Sequence, residues 1–228
     1  MNELLETVEI ETASNPTAAV IWMHGLGADG NDFAPIVPEL GLRDSPSIRF
    51  VFPHAPAMPV TLNNGYVMRA WYDVYPGALE GRSRKTDESG IRASQAAIEK
   101  LIAREFKRGV SAHRIVLAGF SQGGAIALQA GLRHAQRLAG IMALSTYLPL
   151  GESLATEGAP ANRNTPIFFA HGNHDPVIPL AMAAASRDRL LELHYSVEWR
   201  EYPMPHSVCP QEIQDMGRWL RNTLGASE

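Results

Sequence analysis

The segment Gly119-Phe120-Ser121-Gln122-Gly123 stands between two stretches of different character. Before it, His113 to Ala118 is a short apolar run that reads as a buried strand. After it, Gly124 to Leu132 is small and apolar at helical spacing. A G-x-S-x-G at a strand-to-helix junction is a nucleophile elbow. Its serine sits on a tight, strained turn, and its glycines let the helix and a neighbouring strand approach closely. The turn lifts the hydroxyl clear of the sheet and sets it at a helix N-terminus, where backbone N–H groups bind developing negative charge. Few folds accommodate such a junction, and all need a sheet with helices on it.

The rest of the chain supplies that sheet. Ala18 to Met23 and Ile48 to Phe52 are compact apolar runs ended by turn residues. Thr86 or Asp87 caps a long helix to about Phe106, with Ile91, Ile98, Leu101, Ile102 and Phe106 on one face. Leu138 to Leu144 and Pro166 to Ala170 are further strands, Leu180 to Leu193 a helix, and Val197 to Tyr202 a last, alternating strand. Pro210 opens a terminal helix lined by Ile213, Met216, Leu220 and Leu224. Alternating strands and helices with continuously apolar strands predict a mostly parallel sheet covered on both sides. The expected organisation is one domain over residues 1–228. Two stretches are irregular: 63–81, rich in aromatics, and 151–165, which is polar. The first is the candidate substrate loop. Arg82 to Glu88 mixes charges and reads as a solvated loop.

A net charge of −4 and the lack of a long lysine or arginine run exclude a nucleic-acid surface. No apolar stretch is long enough for a transmembrane helix. The acidic start lacks the pattern of a signal peptide. The one cysteine, Cys209, cannot form an internal disulfide. The expected compartment is the cytoplasm.

A serine hydroxyl needs a base within hydrogen-bond reach, and that base needs a carboxylate to orient it. In elbow enzymes the acid and then the histidine follow the serine in the chain. Five histidines follow Ser121: His134, His171, His174, His194 and His206. His206, in Met204-Pro205-His206-Ser207, lies past the last strand, at the carboxyl edge where the elbow opens. His134 and His194 sit near helix ends, and His171 and His174 belong to the loop that supplies the acid. His206 is therefore the candidate base; the alternative is a loop histidine bonded to backbone. Asp175 follows a buried strand directly and is the candidate acid, although an Asp-Pro pair is also a common turn. Asp188 stands among arginines and reads as a surface ion-pair residue, and Asp215 as lying on the outer side of the last helix. The oxyanion donors are the backbone N–H of Gln122 and that of Leu26, in the glycine-rich His24-Gly25-Leu26-Gly27 turn. His24 precedes the serine and is expected to shape that turn. His171 and His174 lack a convincing third metal ligand, so no metal or other cofactor is expected. Cys209 is a small apolar residue rather than a nucleophile.

The ordered motifs H-G-L-G, W-Y-D, G-F-S-Q-G-G, H-G-x-x-D-P-V-I-P and M-P-H-S together resemble the carboxylesterase/acyl-protein thioesterase family of small α/β-hydrolases. The match runs from Val20 to His206. The resemblance implies a single-domain α/β-hydrolase without a large cap domain, with Ser121 as nucleophile, Asp175 as acid, His206 as base, and Leu26 with Gln122 as the oxyanion hole. It also implies an acyl groove on the loop at Trp71-Tyr72-Asp73, with Trp71 and Tyr72 as substrate-binding residues among the aromatics Tyr66, Trp71, Tyr72 and Tyr75; their other reading is core filling. The implied substrates are carboxylic esters and, for some members, thioesters of acylated proteins or lysophospholipids. A serine peptidase on the same fold and a catalytically silent binding protein are the rival readings.

Overall fold

The computed structural model describes residues 4–43, 45–78 and 85–225. Arg82, Ser83 and Arg84 of the charged run, and the end of the 63–81 stretch, lie outside the described residues. A seven-stranded sheet has the spatial order β1-β3-β2-β6-β7-β8-β9. Its strands are β1 (Thr7–Glu11), β2 (Ala18–Met23), β3 (Ile48–Pro53), β6 (Ile115–Phe120), β7 (Gly140–Leu144), β8 (Ile167–Gly172) and β9 (Val197–Tyr202). Every neighbouring pair is parallel except β1 against β3. A separate antiparallel hairpin joins β4 (Ala57–Val60) to β5 (Tyr66–Arg69).

Alternation along the strands divides the core into two layers. Ala19, Ile21 and Met23 of β2 face a layer that includes α1 (Glu88–Lys107), α2 (Gln122–Arg133) and α4 (Leu180–Glu192). Ala18, Val20 and Trp22 face α5 (Pro210–Gly225) and a tight helical turn over Ala34–Leu40. A short α3 (Leu154–Glu157) completes the helices. Helix α1 begins where the sequence predicts, with the Asp87 side chain accepting from the Gly90 N–H at 2.9 Å. The 151–165 stretch packs down, because Asn162 donates to the carbonyls of His134 and Gln136 and accepts from the Leu138 N–H.

Strand β1 carries acidic residues on a sheet edge, and the structure supplies their partners. Arg49 bonds Glu11 at 2.9 Å, while Arg104 and Arg108 each reach Glu9 at 2.8 Å. The same three arginines meet the fully buried Glu105 carboxylate at 2.8–3.2 Å. A buried carboxylate is tolerated because it is paired on several sides.

Glu212, in the first turn of α5, is the opposite case. Burial pushes its pKa up to about 8, against a smaller lowering by the Cys209 N–H. A carboxyl whose folded pKa lies above its unfolded value of 4.5 binds more protons in the folded state between those limits. Its contribution is fully present below about pH 4.5 and is lost as pH rises to 8. Glu212→Gln is thus expected to stabilise the protein at pH 8 by on the order of 3 kcal/mol, with the gap closing towards pH 4.5. Thermal melts of both proteins across that range check this; a gap independent of pH would contradict it.

Candidate active site

The sheet order reverses direction between β2, which is followed by its neighbour β3, and β6 on its other side. Crevices form at the carboxyl ends of strands at such a switch point. The turn after β2 carries His24, Gly25 and Leu26, and the turn after β6 carries Ser121. They touch: a Cβ on Gly123 would lie 2.3 Å from the Met23 carbonyl oxygen and 2.5 Å from that of His24. Only glycine fits there.

Ser121 has φ 53° and ψ −121°, a conformation that costs about 1–3 kcal/mol for a side-chain-bearing residue. Three bonds hold it. Its N–H donates to Leu144 O at 2.8 Å, and its carbonyl accepts from Thr146 Oγ1 at 2.6 Å and from the Ala125 N–H at 3.1 Å. The strained turn aims Oγ at His206.

His206 Nε2 lies 2.9 Å from Ser121 Oγ, and Nδ1 lies 2.6 Å from Asp175 Oδ2. With the carboxylate ionised, Nδ1–H donates to Asp175 and the Nε2 lone pair accepts the serine proton. The His206 loop rests on the end of β8, where a Cβ on Gly172 would meet the carbonyls of Met204 and Pro205 at 2.4 and 2.5 Å. The Phe120 ring, with its centroid 4.8 Å from that of His206, supports the imidazole from the side. Asp175 has a buried side chain whose Oδ1 accepts from the N–H groups of Val177 and Ile178 at 2.8 and 2.9 Å. That closes the turn expected of an Asp-Pro pair and leaves Oδ2 for His206, so the turn role does not compete with the position a triad acid takes.

Burial favours the neutral form of two further histidines. His171, fully buried, has Nε2 2.9 Å from Ile178 O and 3.5 Å from Asp175 Oδ2. Its Nε2–H ties down the loop that feeds Asp175, and burial lowers its pKa. His24 donates from Nδ1 to Gly25 O at 2.7 Å and accepts from the Ala55 N–H at 3.0 Å, and burial lowers its pKa too. It braces the glycine-rich turn, as its place before the serine suggests. In that turn the N–H of Gly27 goes to Arg69 O and that of Ala28 to Gly25 O. The N–H groups of Leu26 and Gln122 have no acceptor among the described residues, and both residues line the pocket beside Ser121. Two unpaired N–H donors beside a nucleophile, one in the turn after β2 and one at the start of α2, are what an oxyanion requires.

That pocket has a volume of about 280 Å³ and runs from Ser121 along Tyr72, Val74, Tyr147, Val177 and Ile178. Trp71 is absent from its walls, which corrects the sequence reading that gave it an acyl-binding role. The indole points the other way: Nε1–H donates to His24 O at 2.9 Å, and the ring packs on the His24 ring at 5.3 Å. Its backbone is clasped by the Gln122 side chain, which accepts from the Trp71 N–H at 2.8 Å and donates to Tyr72 O at 2.7 Å. Trp71 thus ties the β2 turn to the elbow, and Tyr72 carries the wall. Tyr66 is exposed on the hairpin. Sequence reasoning missed Tyr147, whose hydroxyl meets that of Tyr72 at 2.8 Å. It also missed the Gln122 clasp; a polar side chain at the start of an otherwise apolar helix was the one available signal.

Displacing the β2 turn by about 1 Å costs on the order of 10²-fold in rate. Trp71→Ala is accordingly expected to lower kcat/KM by roughly that factor at every acyl length, measured on an ester series with the fold checked by circular dichroism. A reshaped chain-length profile with undiminished activity on short esters would contradict this.

The other carboxylates take separate roles. Asp188 pairs with Arg187 at 2.7 Å on the surface, as expected. Asp215 differs from expectation: it turns inward to accept from the Tyr202 hydroxyl at 2.9 Å.

The family model described as phospholipase/carboxylesterase matches residues 5–224. The chain belongs to this family. Acyl-protein thioesterase 1 of Neurospora crassa is 41% identical over 222 residues, covering 94% of this chain and 90% of that protein. Acyl-protein thioesterase 1 of Mycosarcoma maydis is 39% identical, covering 98% and 99%. Among solved structures, Arabidopsis thaliana SOBER1 superposes with a TM-score of 0.84 at 29% identity, covering 91% of this chain and 99% of that one. Zea mays acyl-protein thioesterase 2 superposes with a TM-score of 0.84 at 26% identity, covering 96% and 99%. Like these members of the family, the chain is a hydrolase on a single α/β-hydrolase domain. No helix among its described residues is long and apolar enough to cross a membrane.

Proposed function

We propose that this protein hydrolyses acyl thioesters and carboxylic esters through an acyl-enzyme on Ser121, with S-acylated protein or peptide as its principal substrate. The observation that carries the reading is the continuous relay from Ser121 Oγ through both nitrogens of His206 to Asp175 Oδ2, set at the head of an apolar pocket. The similarity to acyl-protein thioesterases supports the thioester half. Ser121 Oγ attacks the carbonyl carbon as His206 Nε2 takes its proton, and Asp175 stabilises the resulting imidazolium. The oxygen of the tetrahedral intermediate is held by the N–H groups of Leu26 and Gln122. His206 returns the proton to the departing sulfur or oxygen. Water, deprotonated by the same nitrogen, then releases the acid. The acyl chain lies against Tyr72, Tyr147, Val177 and Ile178. The activity belongs to the reducing cytoplasm, where the free Cys209 is stable.

Matched octanoyl esters, octanoyl thioesters and lysophospholipids test the reading. Turnover of the ester and thioester above that of the lysophospholipid is expected; lysophospholipid alone as substrate would overturn it. A fluorophosphonate probe is expected to label Ser121, and a protein that binds the probe's acyl mimic without labelling would be a silent binding module. Because the nucleophile is a side chain, EDTA is expected to leave kcat/KM within about twofold of the untreated value. Loss of activity restored by one divalent ion would contradict this.

A further inference from the structure

Asp32, Phe120 and His206 are shared between the apolar pocket and a second groove of about 410 Å³. The floor of that groove is apolar, formed by Phe33, Ile36, Val208 and Ile213. Its rim carries the carboxylates of Asp32 and Glu39, and no lysine or arginine lines it. Both rim residues are exposed, and neither has an ion-pair partner among the described residues. Asp29 adds a third negative charge beside Asp32.

The reaction itself says which part of a substrate must face this way. When the tetrahedral intermediate collapses, the carbon–sulfur bond breaks as the carbon–Oγ bond persists. The proton on His206 Nε2 passes to the sulfur, which leaves as a neutral thiol. The leaving group therefore lies on the His206 side of the carbonyl carbon, while the acyl chain occupies the apolar pocket. The groove is lined by His206, the residue that hands the proton to the leaving group, and its unpaired acidic rim complements positive charge.

We infer that this groove is the leaving-group subsite, and that it takes a peptide segment with basic residues next to the acylated cysteine. The inference rests on the thioesterase reading above. The peptide backbone crosses the Phe120–His206 shelf, aliphatic stems of the basic side chains cover Phe33 and Ile36, and their charged heads reach Asp32 and Glu39. The subsite selects among proteins, whereas the pocket selects among acyl chains.

The test uses two N-acetylated cysteinyl peptide amides, each S-octanoylated, with either two arginines or two citrullines after the cysteine. Citrulline keeps the shape of arginine without its charge, and N-acetylation blocks acyl migration to the amine. Both peptides give the same octanoyl-enzyme, so a leaving-group effect acts on formation of that intermediate and reads out in kcat/KM. At low ionic strength the arginine peptide is expected to be favoured roughly five- to tenfold, the size expected for surface charge pairs. The preference should shrink in 0.5 M salt, where charges several ångströms apart are screened. In the double variant Asp32→Asn, Glu39→Gln the ratio is expected to fall to about one. Equal kcat/KM for the two peptides in the wild-type protein, or a preference that survives in the double variant, would overturn the subsite while leaving thioester hydrolysis standing. Absence of turnover of both peptides would overturn the thioesterase reading, and the subsite with it.

Discussion

Ser121→Ala is expected to lower kcat on an octanoyl ester or thioester by about 10⁴-fold or more, with the fold retained. The magnitude is that of removing a triad nucleophile, whose proton acceptor and oxyanion donors are useless without it. The fold is expected to survive because the bonds that hold the elbow are made by the Ser121 backbone, to Leu144, Thr146 and Ala125, and not by Oγ. Burst and steady-state kinetics, with a thermal melt of the variant, separate the two effects. Turnover within tenfold of wild type in a folded Ser121→Ala protein would place the chemistry elsewhere.

Asp175→Asn is expected to cost roughly 10³–10⁴-fold in kcat, the effect of holding a catalytic histidine in the wrong tautomer. The substitution separates the two jobs of this side chain. Asparagine Oδ1 still accepts from the N–H groups of Val177 and Ile178, so the turn is kept. Its amide, however, presents hydrogens to His206 Nδ1, which must then accept, leaving the proton on Nε2 pointing at Ser121 Oγ. The hydroxyl loses its base while the geometry stays. An unchanged melting temperature with lost turnover is the expected pair of results; turnover within tenfold of wild type would show that His206 does not depend on Asp175.

The elbow was legible because it is local: the glycines, the serine and the strand and helix around it are one contiguous sentence of sequence. His206 and Asp175 were reached through chain order and their places after strands, and the structure places His206 within hydrogen-bond distance of both Ser121 and Asp175. Trp71 was misread for a physical reason. An aromatic on an irregular loop is equally able to wall a pocket or to lock a turn, and the choice is made by the His24 carbonyl and the Gln122 amide, both far from it in sequence. Strand β1 was invisible because its two glutamates look like solvent-facing loop until Arg49, Arg104 and Arg108 arrive from β3 and the end of α1. The β4–β5 hairpin was hidden likewise, since Pro59 and the exposed Tyr66 and Val67 break the half-buried alternation that marks a strand.

The most direct test of the central claim is an acid quench of the enzyme milliseconds after mixing with excess octanoyl thioester, followed by digestion and mass measurement of the peptide that contains Ser121. An octanoyl ester on Ser121 that forms before steady state and decays on dilution into buffer is the expected result. Steady thioester hydrolysis with no acyl group on Ser121 at any quench time would contradict it.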